Sequence, residues 1–211
     1  MVAHGTASPA GSATTARLVA AVAAARPAVP VELCFLDVVD PRLAAALAGS
    51  DEPTIVVPLL LSTGYHVQTD IPAAAAPHPN VRVARHLGPH PLLVDAVLDR
   101  MPRAEGIAST ALVGAGSTRS GATTELAATG ELLAERVGHP VTVLTMADDL
   151  RTALEQLPAP RQVATYLLAD GQFVTTLHTA AAGLALVGEP IGVHPKLVEL
   201  VWTRYDEVLA G

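Results

Sequence analysis

One passage of this chain is written twice. Leu87-Gly88-Pro89-His90-Pro91-Leu92-Leu93-Val94 returns as Ile191-Gly192-Val193-His194-Pro195-Lys196-Leu197-Val198. Other stretches recur at a similar interval. Val31–Leu36 (VELCFL) is answered by Val141–Met146 (VTVLTM), and Asp40-Pro41-Arg42-Leu43 by Asp148-Asp149-Leu150-Arg151. A repeat of about 100 residues has the size of a small domain, so the chain reads as a tandem duplication of one unit. The halves are expected over 1–101 and 108–211, joined through Pro102–Ala108 (PRAEGIA).

Within each half, short apolar runs alternate with helical patterns. In the first half, strands are expected at Met1–Ala3, Val31–Val38, Ile55–Leu61 and Val81–Ala84. Between and after them come helices over Ala13–Ala25, Arg42–Ala48, Ile71–Ala76 and Leu92–Met101, with a turn at Ser50–Pro53. Ser12 is placed to cap the first helix, and Pro27 and Pro30 to end it. This alternation implies βαβ units around a parallel sheet, an α/β fold. Ile55–Leu61 is continuously apolar, as a strand buried on both faces should be, although Pro58 interrupts its hydrogen-bond ladder.

Composition narrows the function. Half of the 211 residues are hydrophobic but only 3% are aromatic, so the cores must be built from Ala, Val and Leu. Net charge is −7 and no basic cluster exists, which argues against nucleic acid as a partner. Cys34 is the single cysteine; it reads as a small buried hydrophobe and leaves no internal disulfide or cysteine-based metal site. No apolar run approaches the ~18 residues of a membrane span. Met1 runs almost directly into a structured motif rather than a leader, so a cytoplasmic protein is expected.

In open parallel sheets, ligands bind at the carboxyl ends of the strands. His4, Asp37 and His66 each follow a predicted strand of the first half. Two imidazoles and a carboxylate can hold a divalent metal with open positions, or accept protons from a substrate. Taken singly they have plainer readings: loop histidines, and a helix cap for Asp37. Asp70 reads either as a cap for Ile71-Pro72 or as a partner of His66.

The second half has Ala115 opposite His4 and Phe173 opposite His66. One site is therefore expected, built mostly by the first half and covered by the second. His90 and His194 occur in both copies just ahead of a helix, which points to an N-terminal turn rather than to chemistry. His78, His86, His139 and His178 have no partners at metal-ligand spacing and read as surface or loop residues. Gly114–Gly121 lacks the G-x-G-x-x-G spacing, and Ala122 stands where a phosphate loop has lysine. It reads as a tight strand-to-helix loop offering N–H groups. Trp202 and Tyr205, three apart on the last helix, read as packing.

Together these residues resemble the sirohydrochlorin chelatase family, the class II chelatases that include iron and cobalt enzymes. The family's opening strand and His-Gly-Ser appear as His4-Gly5-Thr6, and its Phe-Leu-Glu as Phe35-Leu36-Asp37. Its Val-Val-Pro-Leu-Leu-Leu, small loop, His, then Asp-Ile-Pro appears as Val56–Leu61, His66 and Asp70-Ile71-Pro72. The resemblance implies two flavodoxin-like or chelatase-like halves, each a parallel sheet flanked by helices. It implies ATP-independent insertion of Fe2+ or Co2+ into sirohydrochlorin, in sirohaem or cobalamin synthesis. His4 and His66 would bind the incoming metal and take pyrrole protons, with Asp37 standing for the family's glutamate, one methylene shorter. Thr69 stands where many relatives have a basic residue. No permanently bound cofactor is implied; the metal is a substrate. The partner is a small-molecule tetrapyrrole, and the protein a monomer or homodimer. The substrate's carboxylates would meet helix-start N–H groups, Thr6, Ser62, Thr63, and Arg85 or Arg119. The same cleft would equally serve a non-catalytic tetrapyrrole or metal carrier.

Overall fold

The two halves repeat one strand order. The computed structural model describes residues 1–48, 52–117 and 119–211; the turn expected at Ser50–Pro53 falls partly outside them. In the first half β1 (Val2–Ala3) pairs in parallel with β2 (Cys34–Phe35), and β3 (Thr54–Val56) with β4 (Val81–Val83). A parallel bridge from Val2 to Pro58 joins the two ladders, giving the order β2-β1-β3-β4. In the second half β5 (Ser109–Gly114), β6 (Val141–Thr145), β7 (Arg161–Tyr166) and β8 (Ala185–Val187) form one parallel sheet, ordered β6-β5-β7-β8. The registers correspond. Val2 faces Cys34 where Val113 faces Leu144, and Ala3 faces Phe35 where Gly114 faces Thr145. The α/β architecture is as expected, and this correspondence is compatible with duplication.

Pro58 ends the β3–β4 ladder early. The N–H of Leu59 and the carbonyl of Val57 both bond to Val2, so residue 58 faces the β4 side. Proline has no N–H to give there, and the β3–β4 ladder stops at Val56 and Val83. The expected strand Ile55–Leu61 is accordingly much shorter as a hydrogen-bonded element, and the expected strand Val31–Val38 pairs only over Cys34–Phe35.

The intervening helices are α1 (Pro9–Ala25), α2 (Leu43–Leu47), α3 (Ile71–Ala75), α4 (Pro91–Arg100), α5 (Ser120–Val137), α6 (Leu150–Glu155), α7 (Gln172–Ala181) and α8 (Pro195–Ala210). The first begins earlier than the sequence pattern indicates. Ser8, not Ser12, is the cap: its side chain accepts from the Gly11 N–H, and Pro9 fills a first-turn position that needs no donor. His90 and His194 are also caps, their rings accepting from the N–H groups of Leu92 and Lys196. That is the structural reading expected of them.

Helices α4 and α8 are exchanged between halves. α4 packs on α5 and β7 of the second half, α8 packs on α1 of the first, and the two pack on each other. Leu93, Val97, Leu112, Leu197, Leu200 and Trp202 consequently share one core that crosses the junction. Burying a leucine contributes about 2 kcal/mol, so this seam is a main stabiliser. The outer faces are covered separately, by α2 and α3 on the first sheet and by α6 and α7 on the second. Trp202 donates from Nε1 to the carbonyl of Val22 and stacks edge-on against Tyr205, which is packing, as expected. Cys34 is buried, and burial pushes its thiol up.

Candidate active site

Both sheets present their strand carboxyl ends to one cavity of about 480 Å³ between the halves. Its first-half wall carries His4, Thr6, Phe35 and Leu59–Ser62; its second-half wall carries Gly114–Ser117, Tyr166 and Leu167–Phe173. Leucines, among them Leu59, Leu61, Leu126 and Leu168, make the interior greasy. The Tyr166 hydroxyl donates to the Leu61 carbonyl across the floor, and burial pushes its phenol up, keeping it a donor.

His4 follows β1 directly, so its ring leaves the sheet at this edge. His66 opens a π-turn over His66–Asp70 that runs straight into α3. The two imidazoles meet edge-to-face with centroids 4.8 Å apart. A wide π-turn at this point aligns His66 with Asp70 at i, i+4, and His66 Nδ1 lies 2.6 Å from Asp70 Oδ2. His4 Nδ1 lies 3.0 Å from the Gly5 carbonyl. A carbonyl and a carboxylate are acceptors only, so in each neutral ring the proton sits on Nδ1. The Nε2 lone pair of each is then left for a metal ion or a proton.

Asp70 therefore acts on His66 and does not cap α3, with which its side chain makes no capping bond. The cap reading fails because the chain is already helical through residues 66–70, leaving no helix start to cap.

Asp37 is placed differently from the three-ligand expectation. Its Oδ1 accepts from the Val38 N–H at 2.8 Å and from Arg42 Nη1 at 2.9 Å. These two bonds, the Val38 N–H first, hold its exposed carboxyl below the usual carboxylate range, helped by His4. Its backbone N–H bonds to the His4 carbonyl, so it braces the His4 loop. Among the described residues no group of three His, Cys, Asp or Glu side chains is assembled for a metal. The structure joins His4 to His66 and commits Asp37 to Arg42.

Of the expected carboxylate donors, Thr6 and Ser62 line the cavity. Thr63 does not: its N–H is taken by the Glu125 carboxylate of α5. Glu125 also holds His86 Nε2 at 3.1 Å. His86 is thus half of a partly buried pair across the seam rather than a free loop residue. Sequence reading missed Glu125, since one acidic position on an amphipathic helix carries no distinguishing signal. His139 is likewise engaged, by the Thr110 hydroxyl at 2.8 Å. Arg119 lies over the Tyr65 ring at 5.6 Å, beside His66. Arg85 is exposed and outside the cavity lining. Ala115 and Phe173 both line the second wall; opposite them His4 lines the first, and His66 stands against His4 just outside the lining.

The family model CbiX matches residues 1–104. Among solved structures, SirB from Bacillus subtilis with Fe3+ superposes with a TM-score of 0.81 at 24% identity, covering 99% of this chain and 94% of that one. The cobalt complex of the sirohydrochlorin chelatase SirB from Bacillus subtilis subspecies spizizenii gives 0.74 at 23%, covering 98% and 92%. CbiX, the terminal enzyme for biosynthesis of siroheme in denitrifying bacteria, gives 0.73 at 22%, covering 98% and 96%. A search of curated proteins found no match. The expected resemblance is borne out by the family match in the first half and by the fold along the whole chain.

Proposed function

We propose that this chain, whose residues 1–104 match the CbiX family, inserts a divalent metal, Fe2+ or Co2+, into sirohydrochlorin without ATP. The observation that carries this reading is the pairing of His4, which lines the cavity, with His66 beside it, each with Nδ1 occupied.

Two imidazoles with free Nε2 atoms suit both halves of the reaction. They hold an incoming cation through few protein ligands, so a macrocycle offering four nitrogens outcompetes them. Their free Nε2 atoms can also receive the pyrrole protons that leave as the metal enters. Asp70 fixes the orientation and tautomer of the His66 ring through Nδ1. Asp37 supports His4 from the neighbouring loop and steadies positive charge there without occupying a ligand position. The apolar walls of the cavity exclude water from the exchange, and Thr6 and Ser62 offer hydroxyls to the substrate's carboxylates. In this reading residues 1–101 carry the chemistry and 108–211 complete the cleft.

The test is anaerobic absorbance of sirohydrochlorin with Fe2+ or Co2+, for the wild type and for His4→Ala and His66→Ala. Rapid metallation by the wild type, lost in both variants, is expected. Variants as fast as the wild type would overturn the assignment, and pigment binding without accelerated insertion would identify a carrier.

A further inference from the structure

Phe173 stands outside the packing of its own helix. α7 buries Val174, Leu177 and Ala181, a stripe that seats it on the second sheet. Phe173 falls one residue ahead of this stripe, is 49% exposed, and lines the cavity that His4 lines. The chain has only two phenylalanines, and the other, Phe35, lines the same cavity. Folding gains little from a ring left half in water, so its apolar surface is available to a ligand.

Its place in the fold defines what it faces. Thr54 and Arg161 hold the same register position in their sheets, opposite Val81 and Ala185. His66 and Phe173 each follow that position at the same distance along the chain. Where the first half offers a metal-binding nitrogen, the second offers a π-face. Gly114, Ala115, Gly116, Ala169 and Gly171 leave space on the same wall, and Leu126 and Leu168 keep it apolar. An exposed flat ring beside that space suits a planar apolar body.

We infer that Phe173 is the platform on which one face of the planar conjugated macrocycle rests, opposite the His4–His66 pair. This rests on the chelatase reading above. An aromatic face stacks on an extended π-system and discriminates little among its charged substituents. Coordination from one side and stacking from the other hold the ring between a proton acceptor and a surface that cannot compete for the metal.

Metal-free sirohydrochlorin titrated anaerobically against the protein tests this. Phe173→Ala should weaken pigment binding about tenfold, from lost stacking and apolar contact, with an unchanged melting temperature because the side chain is half exposed. In turnover the loss should fall on KM and leave kcat intact. Phe173→Trp should bind as well as the wild type, and His66→Ala should keep pigment binding while losing insertion. Phe173→Ala binding as tightly as a wild type that metallates the pigment would overturn the platform alone. A wild type that neither binds nor metallates it would overturn the platform together with the chelatase reading.

Discussion

Arg100 of α4 and Arg204 of α8 reach with the same two nitrogens into each other's half. Arg100 donates from Nε and Nη2 to the carbonyls of Ile191 and Val193, and Arg204 from Nε and Nη2 to those of His86 and Leu87. Each arginine sits nine positions after the proline of the repeated His-Pro pair. Each therefore clamps the loop that precedes the other's helix, and the pair locks the helix exchange.

Arg204 is nearly fully buried, so removing it strands two carbonyls with no water to replace the donor. Arg204→Ala should destabilise the fold by about 3 kcal/mol and Arg100→Ala by about half as much, since its site is partly exposed. Urea denaturation reads both. Lysine at 204 should rescue poorly, because a single ammonium cannot span both carbonyls in the guanidinium's geometry.

Asp70→Asn leaves the π-turn intact but removes the charge that holds His66 Nδ1. Metal insertion should fall about 10- to 100-fold with no change in melting temperature. Anaerobic kinetics beside a thermal melt separate this from a folding defect.

His90 and His194 cap their helices as acceptors, which only the neutral ring can do. Burial is the main cause pushing both below the ordinary histidine value; Arg204 adds to it at His90 and Arg100 at His194. On acidification the unfolded chain thus takes up these protons before the folded one. The caps' contribution is complete above about pH 6.5, the unfolded value, and declines as pH falls through the lowered folded values. Asparagine caps without titrating. His90→Asn and His194→Asn should match the wild type in urea at pH 8 and exceed it at pH 5.

Gly88 has no room for a side chain. A Cβ there would run into the Leu61 carbonyl and the Tyr166 hydroxyl, which are bonded to each other. Gly88→Ala should cost about 2–3 kcal/mol. Gly171→Ala, where a Cβ meets nothing, should stay within about 0.5 kcal/mol. Thermal melts of the two variants make the comparison.

The sequence by itself determined the repeat, the parallel α/β order, the strand-end placement of His4 and His66, and the helix-start placement of His90 and His194. Those features depend on hydrophobic period, on where short strands end, and on hydrogen-bond demand within one turn, all of which are local. Only the tertiary structure decided which carboxylate meets which imidazole. Asp70 reaches His66 because a π-turn replaces the expected helix start, and Asp37 turns to Arg42 on its own loop. Glu125 meets His86 and Thr63 only because the halves close on each other. The exchange of α4 and α8 was equally hidden, since an apolar helix face is the same whichever half's core it enters.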